Sequence, residues 1–199
     1  MSPTRRLALA AVAAATALAG CPLPQPLPDY PPGTITPPRI LAATATRSAE
    51  SVIPVPAGCA VGPSYPLDVR IHYQEAATVE ARWFVDYRSD VPSRYVIQNG
   101  ANTEVPANPD PTILERDVPQ FVFQPYGYPP PAELGLPGAR PDSQGVVHVV
   151  ELVVSNGFDP SPDAPNPNRT PAVVNSLLRF EIETFRWVFV NVAGLECPP

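Results

Sequence analysis

Three cysteines and two histidines are the residues of this chain best suited to covalent or metal chemistry. Their spacing limits what they can do. Cys21, Cys59 and Cys197 stand far apart, and tetrahedral zinc draws its ligands from closely spaced thiols and imidazoles. His148 and Glu151, in "HVVE", are three apart and fall on opposite faces of a strand, so they cannot hold one ligand. His72 sits among the polar residues of an alternating run. Glu181 and Glu183 share a strand face about 7 Å apart, two strand rises. Glycosidases place carboxylates at such separations, but paired acids on a solvated face are ordinary surface charges. "NGFDPSPDAPNPNRT" offers Asp159, Asp163, Asn166 and Asn168, the oxygen ligands that calcium favours. Alternating proline keeps that segment from wrapping an ion, and it reads as a stiff loop. No serine stands in a G-x-S-x-G elbow, and no glycine-rich phosphate loop is present. The expectation is a protein that is not an enzyme and takes no metal and no cofactor.

Aromatic residues are the remaining hint of binding. Phe84 points opposite to Trp83, and Tyr126 and Tyr128 stand in "PYGYPPP". In "NSLLRFEIETFRWVFVNV" the apolar phase changes: Leu178, Phe180 and Ile182 share one face, Phe185, Trp187 and Phe189 the other. A bulge near Glu183–Thr184 would return both sets to one inward face. Without it, Phe185, Trp187 and Phe189 would form an outer stripe. With Phe84, Tyr126 and Tyr128 they are the candidate ligand-facing aromatics, able to stack a sugar or a partner.

The elements that would position these residues are strands. "LDVRIHYQ" and "TVEARWFVDYR" alternate with period two, the mark of half-buried antiparallel strands, and "QEAA" between them reads as a tight hairpin. Asn99-Gly100 is a hairpin signal. "PQFVFQP" is a short strand closed by prolines. "GVVHVVELVVSNGF" is apolar on both faces and reads as central. "RILAAT" and "ESVIPVP" form one split edge strand, where proline is tolerated. Trp83 is expected in the core beside Val69, Ile71, Val85, Val149 and Val153. The 31 prolines gather at 22–38, 106–119, 125–141 and 160–171, between the apolar runs, as rigid loops. The fold expected is all-β: one immunoglobulin-like antiparallel sandwich of about 7–9 strands with long Pro-rich loops. A closed barrel is the alternative.

The first twenty residues are of another kind. Arg5 and Arg6 precede an uncharged run from Leu7 to Ala19, shorter than the ~20 residues that span a bilayer. A basic start, an apolar middle and small residues at the end make a secretory signal. Leu18-Ala19-Gly20-Cys21 resembles the lipobox of bacterial lipoproteins. The resemblance implies cleavage before Cys21, acyl chains on Cys21 and anchorage in the membrane. Pro22, where an inner-membrane retention signal would carry aspartate, implies the outer membrane. The domain behind it also resembles the β-sandwich lipoproteins of Gram-negative bacteria. The expected organisation is a signal peptide at 1–20, a lipidated Pro-rich stalk at 21–38 rising about 3 Å per residue, and a sandwich at 39–199.

Export to an oxidising compartment leaves Cys59 and Cys197 as the natural disulfide pair. An immunoglobulin-like order puts the loop after the first strand and the end of the last strand at one pole, which brings the same two residues together. The chain carries a net charge of −6, and losing Arg5 and Arg6 with the signal makes it more acidic. That argues against a nucleic-acid partner. The expected function is a non-enzymatic structural or protein-interaction module of the cell envelope, touching the membrane through acyl chains on Cys21. Its partner would be an envelope protein or a glycan. A glycan- or small-ligand-binding lipoprotein is the alternative.

Overall fold

Alternation builds the strands and proline cuts them short. The computed structural model describes residues 36–87, 103–130, 138–160, 169–175 and 178–198. Compactness divides the chain into Met1–Thr34 and Ile35–Pro199. The signal at 1–20, Cys21, the stalk up to residue 35, the Asn99-Gly100 turn, and Asp163, Asn166 and Asn168 lie outside the described residues.

The strands are β1 (Arg39–Leu41), β2 (Val52–Pro56), β3 (Tyr65–Leu67), β4 (Arg70–His72), β5 (Val79–Val85), β6 (Thr103–Val105), β7 (Glu115–Asp117), β8 (Phe121–Phe123), β9 (Val147–Ser155), β10 (Val173–Asn175), β11 (Leu178–Arg179) and β12 (Ile182–Val192). One layer is a five-stranded sheet in the order β2-β12-β9-β5-β6. The other holds β1-β4-β7 and β3-β8. Between β3 and β4, and between β7 and β8, the chain runs on with only a short break. Pro119 has no N–H to continue the ladder, and the break is bridged by the Val118 N–H donating to the Val69 carbonyl at 3.1 Å. The first strand splits between layers, β1 joining β4 and β2 joining β12. This is an immunoglobulin-like sandwich and not a closed barrel, with an extra edge strand β6 beside β5.

The core lies between the layers. Trp83 stacks on Phe121 at 5.3 Å and on Trp187 at 5.5 Å. Phe189 meets Phe123 at 4.5 Å, and Val69, Ile71 and Val85 complete the surroundings.

Three expectations are corrected. First, β4 and β5 lie in different layers, so "QEAA" crosses between sheets and is no hairpin. Second, β12 pairs with β9 in unbroken register from Ile182↔Ser155 to Val190↔Val147, so there is no bulge at Glu183–Thr184. The phase change has another cause: Leu178 belongs to a separate hairpin, β10–β11, and the last strand starts only at Ile182. Phe185, Trp187 and Phe189 therefore point into the core and form no outer stripe. Third, the inward face of β9 is His148, Val150, Leu152 and Val154, so Val149 and Val153 lie on the side away from Trp83.

The edge strand β2 is closed by its own composition. It runs parallel to β12, and the Ala57 N–H just beyond it donates to the Val192 carbonyl at 3.0 Å. By that parity Ile53 and Val55 face β12 while Pro54 and Pro56 face the free edge. The Pro54 carbonyl accepts from the Tyr65 hydroxyl at 3.2 Å, and the Pro56 carbonyl accepts from Tyr126.

The parallel pairing of β2 with β12 carries both chains out at one pole, and there Cys59 is bonded to Cys197 with a Cα–Cα separation of 5.6 Å. The opposite pole receives the chain at Thr36. Its N–H donates to Glu75 Oε1 at 3.3 Å and its carbonyl accepts from Asn156 at 3.2 Å. Tyr73, buried beside them, donates to Glu75 Oε2 at 3.1 Å and accepts from Asn156.

Two outcomes follow. Trp83→Ala is expected to cost about 3–5 kcal/mol, read from urea unfolding followed by the emission of Trp187. Burial first, then the Glu75 carboxylate, pushes the Tyr73 phenol up to about 12, against about 10 in an unfolded chain. The folded state holds that proton longer. This contribution to stability is complete below about pH 10 and is lost as the pH rises towards 12. The urea midpoint should fall across that window, and less steeply in Tyr73→Phe. Equal slopes would show that Tyr73 is not linked to folding.

Candidate functional site

The predicted site residues scatter over the sandwich instead of converging. Phe84 is on the outer face of the five-stranded sheet, but Val153 and Phe158 cover it completely, with Tyr87 edge-on at 5.1 Å. Tyr126 caps the edge of β2, and Tyr128 stacks on Phe123 at 5.4 Å. Phe185, Trp187 and Phe189 are core residues. Four of the six candidate ligand-facing aromatics, Phe84, Phe185, Trp187 and Phe189, are thus corrected to packing roles, because the segment after β9 and the opposite sheet take the surfaces they would have offered; Tyr126 and Tyr128 are half-buried.

That segment is pinned by charge. Glu151, on the outer face of β9, is 4% exposed. It accepts from Arg169 at 2.8 Å and from Arg186 of β12. The Arg169 guanidinium also lies 4.5 Å over the Tyr87 ring. Beside it, Arg82 is stacked 4.0 Å over Phe158 and pairs with Glu80 at 3.3 Å. Burial pulls the Arg82 guanidinium below its ordinary value, with Glu80 opposing the shift.

His148, inward-facing on β9, is fully buried. Its Nδ1 lies 2.6 Å from Asp86 Oδ2, and Asp86 Oδ1 accepts the Val149 N–H at 2.7 Å. Asp86 has φ +51°, a left-handed conformation that aspartate tolerates better than most residues. The pair ends the β5–β9 ladder with its polar groups satisfied on that side. With Phe123 at 5.9 Å and no exposure, the imidazole meets no diffusing substrate in this conformation. His148 points inward and Glu151 outward, as their spacing predicts.

Among the described residues two surface hollows are lined by polar side chains. An open cleft of about 580 Å³ lies over β4 and β7, lined by Arg70, His72, Asn108, Thr112, Glu115 and Asp117. Arg70 is held there by Asp117 at 3.0 Å and Glu115 at 3.2 Å, and both carboxylates push its guanidinium further up. The second hollow, about 430 Å³, adjoins Cys59. Among the described residues no group of three or more histidine, cysteine, aspartate or glutamate side chains is placed to hold a metal ion.

The residues that the sequence reading missed are Asp86, Arg82 and Arg169. Glu151 carried a visible signal, one charge inside an apolar central run. Asp86 carried none, since it reads as the polar member of an alternation. The fold and these sites define an immunoglobulin-like β-sandwich with internal charge networks. No family model, no curated protein and no solved structure matches the chain.

If Glu151 is the hub, its loss strands Arg169, whose side chain is 18% exposed, more than Arg186, which is 62% exposed. Glu151→Ala should therefore cost about 3 kcal/mol, Arg169→Ala less, and Arg186→Ala under about 1 kcal/mol. Urea unfolding of the three variants gives the order, and a reversed order would remove Glu151 from the centre.

Proposed function

We propose that this protein is a membrane-anchored lipoprotein of the bacterial cell envelope, a non-enzymatic structural or protein-interaction module held by acyl chains on Cys21. The observation that carries this reading is the seam Leu18-Ala19-Gly20-Cys21 behind Arg5-Arg6 and an uncharged run. The cysteine arithmetic supports it. Cys59 is bonded to Cys197, so Cys21 is the one cysteine of three outside that bond. A disulfide also suits an oxidising compartment. The chain enters the sandwich at the Thr36 pole, and the bonded cysteines stand at the other. Pro22 favours the outer membrane as the place of an anchor on Cys21. Two or more acyl chains hold stably where one does not, at about 0.8 kcal/mol per buried CH₂.

Burial of Phe84, Phe185, Trp187 and Phe189 takes away most of the stacking platform that a glycan partner would use, and this favours an envelope-protein partner. The cleft over β4 and β7 favours a second reading, binding of a small polar ligand. It would be measured as a saturable shift in melting temperature that Asp117→Asn abolishes.

Cys21→Ser is expected to abolish incorporation of labelled fatty acid and to move the protein out of the membrane fraction or block its processing. A wild-type protein that takes up no label would sink the lipoprotein reading.

A further inference from the structure

The two halves of the Cys59–Cys197 bond sit in different settings. Cys59 is 5% exposed. Its N–H meets the Tyr126 hydroxyl at 3.5 Å, and the neighbouring Gly58 N–H donates to the Asp142 carbonyl at 2.8 Å. Cys197 is exposed. It lies on the tail that leaves β12 at Val192 and turns at Gly194, whose φ of +81° is the left-handed conformation open to glycine. Among the described residues, none of Ala193–Pro198 makes a hydrogen bond or an ion pair. The disulfide is therefore the tail's specific tie to the sandwich. The ladder beneath does not depend on it. β2 and β12 remain paired from Val52↔Val188 to Pro56↔Val192, and the Ala57 N–H closes that ladder on the Val192 carbonyl.

We propose that this bond is a site of thiol–disulfide exchange with an external dithiol, and that its opening frees the C-terminal tail while the sandwich stays folded. One thiolate of the dithiol attacks Cys197 Sγ from the solvent side. The Sγ–Sγ bond breaks, and Cys59 leaves as a thiolate that takes up the proton shed by the attacking thiol. The dithiol's second thiolate attacks the mixed disulfide and releases Cys197 as a thiol. Two electrons pass to the pair: the donor ends as a disulfide, and Cys59 and Cys197 end as two thiols. Exchange rates depend on which sulfur can be reached, and exposure selects Cys197. The Cys59 half of the bond adjoins the hollow lined by Gly58, Tyr126 and Asp142.

The test uses the full chain carrying Cys21→Ser, in which Cys59 and Cys197 are the only cysteines. The folded protein is incubated with dithiothreitol over about a tenfold range of concentration, quenched by alkylation and read by mass spectrometry, while tryptophan emission reports the core. The expected result is a reduction rate proportional to dithiothreitol with unchanged emission. A rate that levels off, a rate that keeps step with a change in emission, or no reduction at all would show that the bond opens only on unfolding and would overturn the proposal. With glutathione as a single-thiol probe, the trapped adduct is expected on Cys197. An adduct on Cys59 would overturn the direction of attack.

Discussion

The sandwich turns on one contact, the stack of Trp187, Trp83 and Phe121 that crosses from one layer to the other. Each of these rings comes from a different strand, and two belong to the sheet that the third closes. Large rings bury much apolar area at small cost in rotamer entropy, which matters in a chain whose strands are mostly short. The Trp187 indole N–H donates to the Arg47 carbonyl at 2.9 Å, so the stack also fixes the loop between the two halves of the split first strand. With that loop fixed, β2 can lie parallel to β12, and the parallel pairing in turn delivers Cys59 to Cys197.

How much of this could be read from residues follows from the physics of each signal. Period-two alternation in "LDVRIHYQ" and "TVEARWFVDYR" set the inward faces of β4 and β5, because one face was apolar and the other polar. In β9 both faces are apolar, so alternation does not say which of them, Val149 and Val153 or Val150 and Leu152, turns inward. The supposed bulge failed for a related reason. Phe180 and Phe185 differ in phase because two elements meet between them, and apolar periodicity cannot tell a bulge from a boundary. Cys59 and Cys197 were legible because strand order constrains poles more tightly than it constrains side chains. The charge network around Glu151 was only partly legible. A lone acid in an apolar run announces a partner, but not that the partner is Arg169, arriving from a proline-rich connection.

Charge here does what apolar packing does elsewhere. The outer face of the five-stranded sheet carries Phe84 and Val153, which would be sticky if bare. Phe158 and Arg169, at the two ends of the connection after β9, lie against that face: Arg169 shares the Glu151 carboxylate with Arg186 of β12, and the Arg82 guanidinium lies flat on Phe158 and that of Arg169 on Tyr87. A buried ion pair is weak evidence for net stability, but it is specific about place: Glu151 takes Arg186 from the neighbouring strand and Arg169 from the connection.

The margin formed by β2 has a wider meaning. A lateral strand normally offers donors and acceptors to any passing chain. Here Pro54 and Pro56 supply no donor, and the hydroxyls of Tyr65 and Tyr126 occupy the carbonyls of those same two residues. That flank has almost nothing left with which to template a neighbour. Copies crowded side by side would meet there through side chains and would find little backbone ladder to extend.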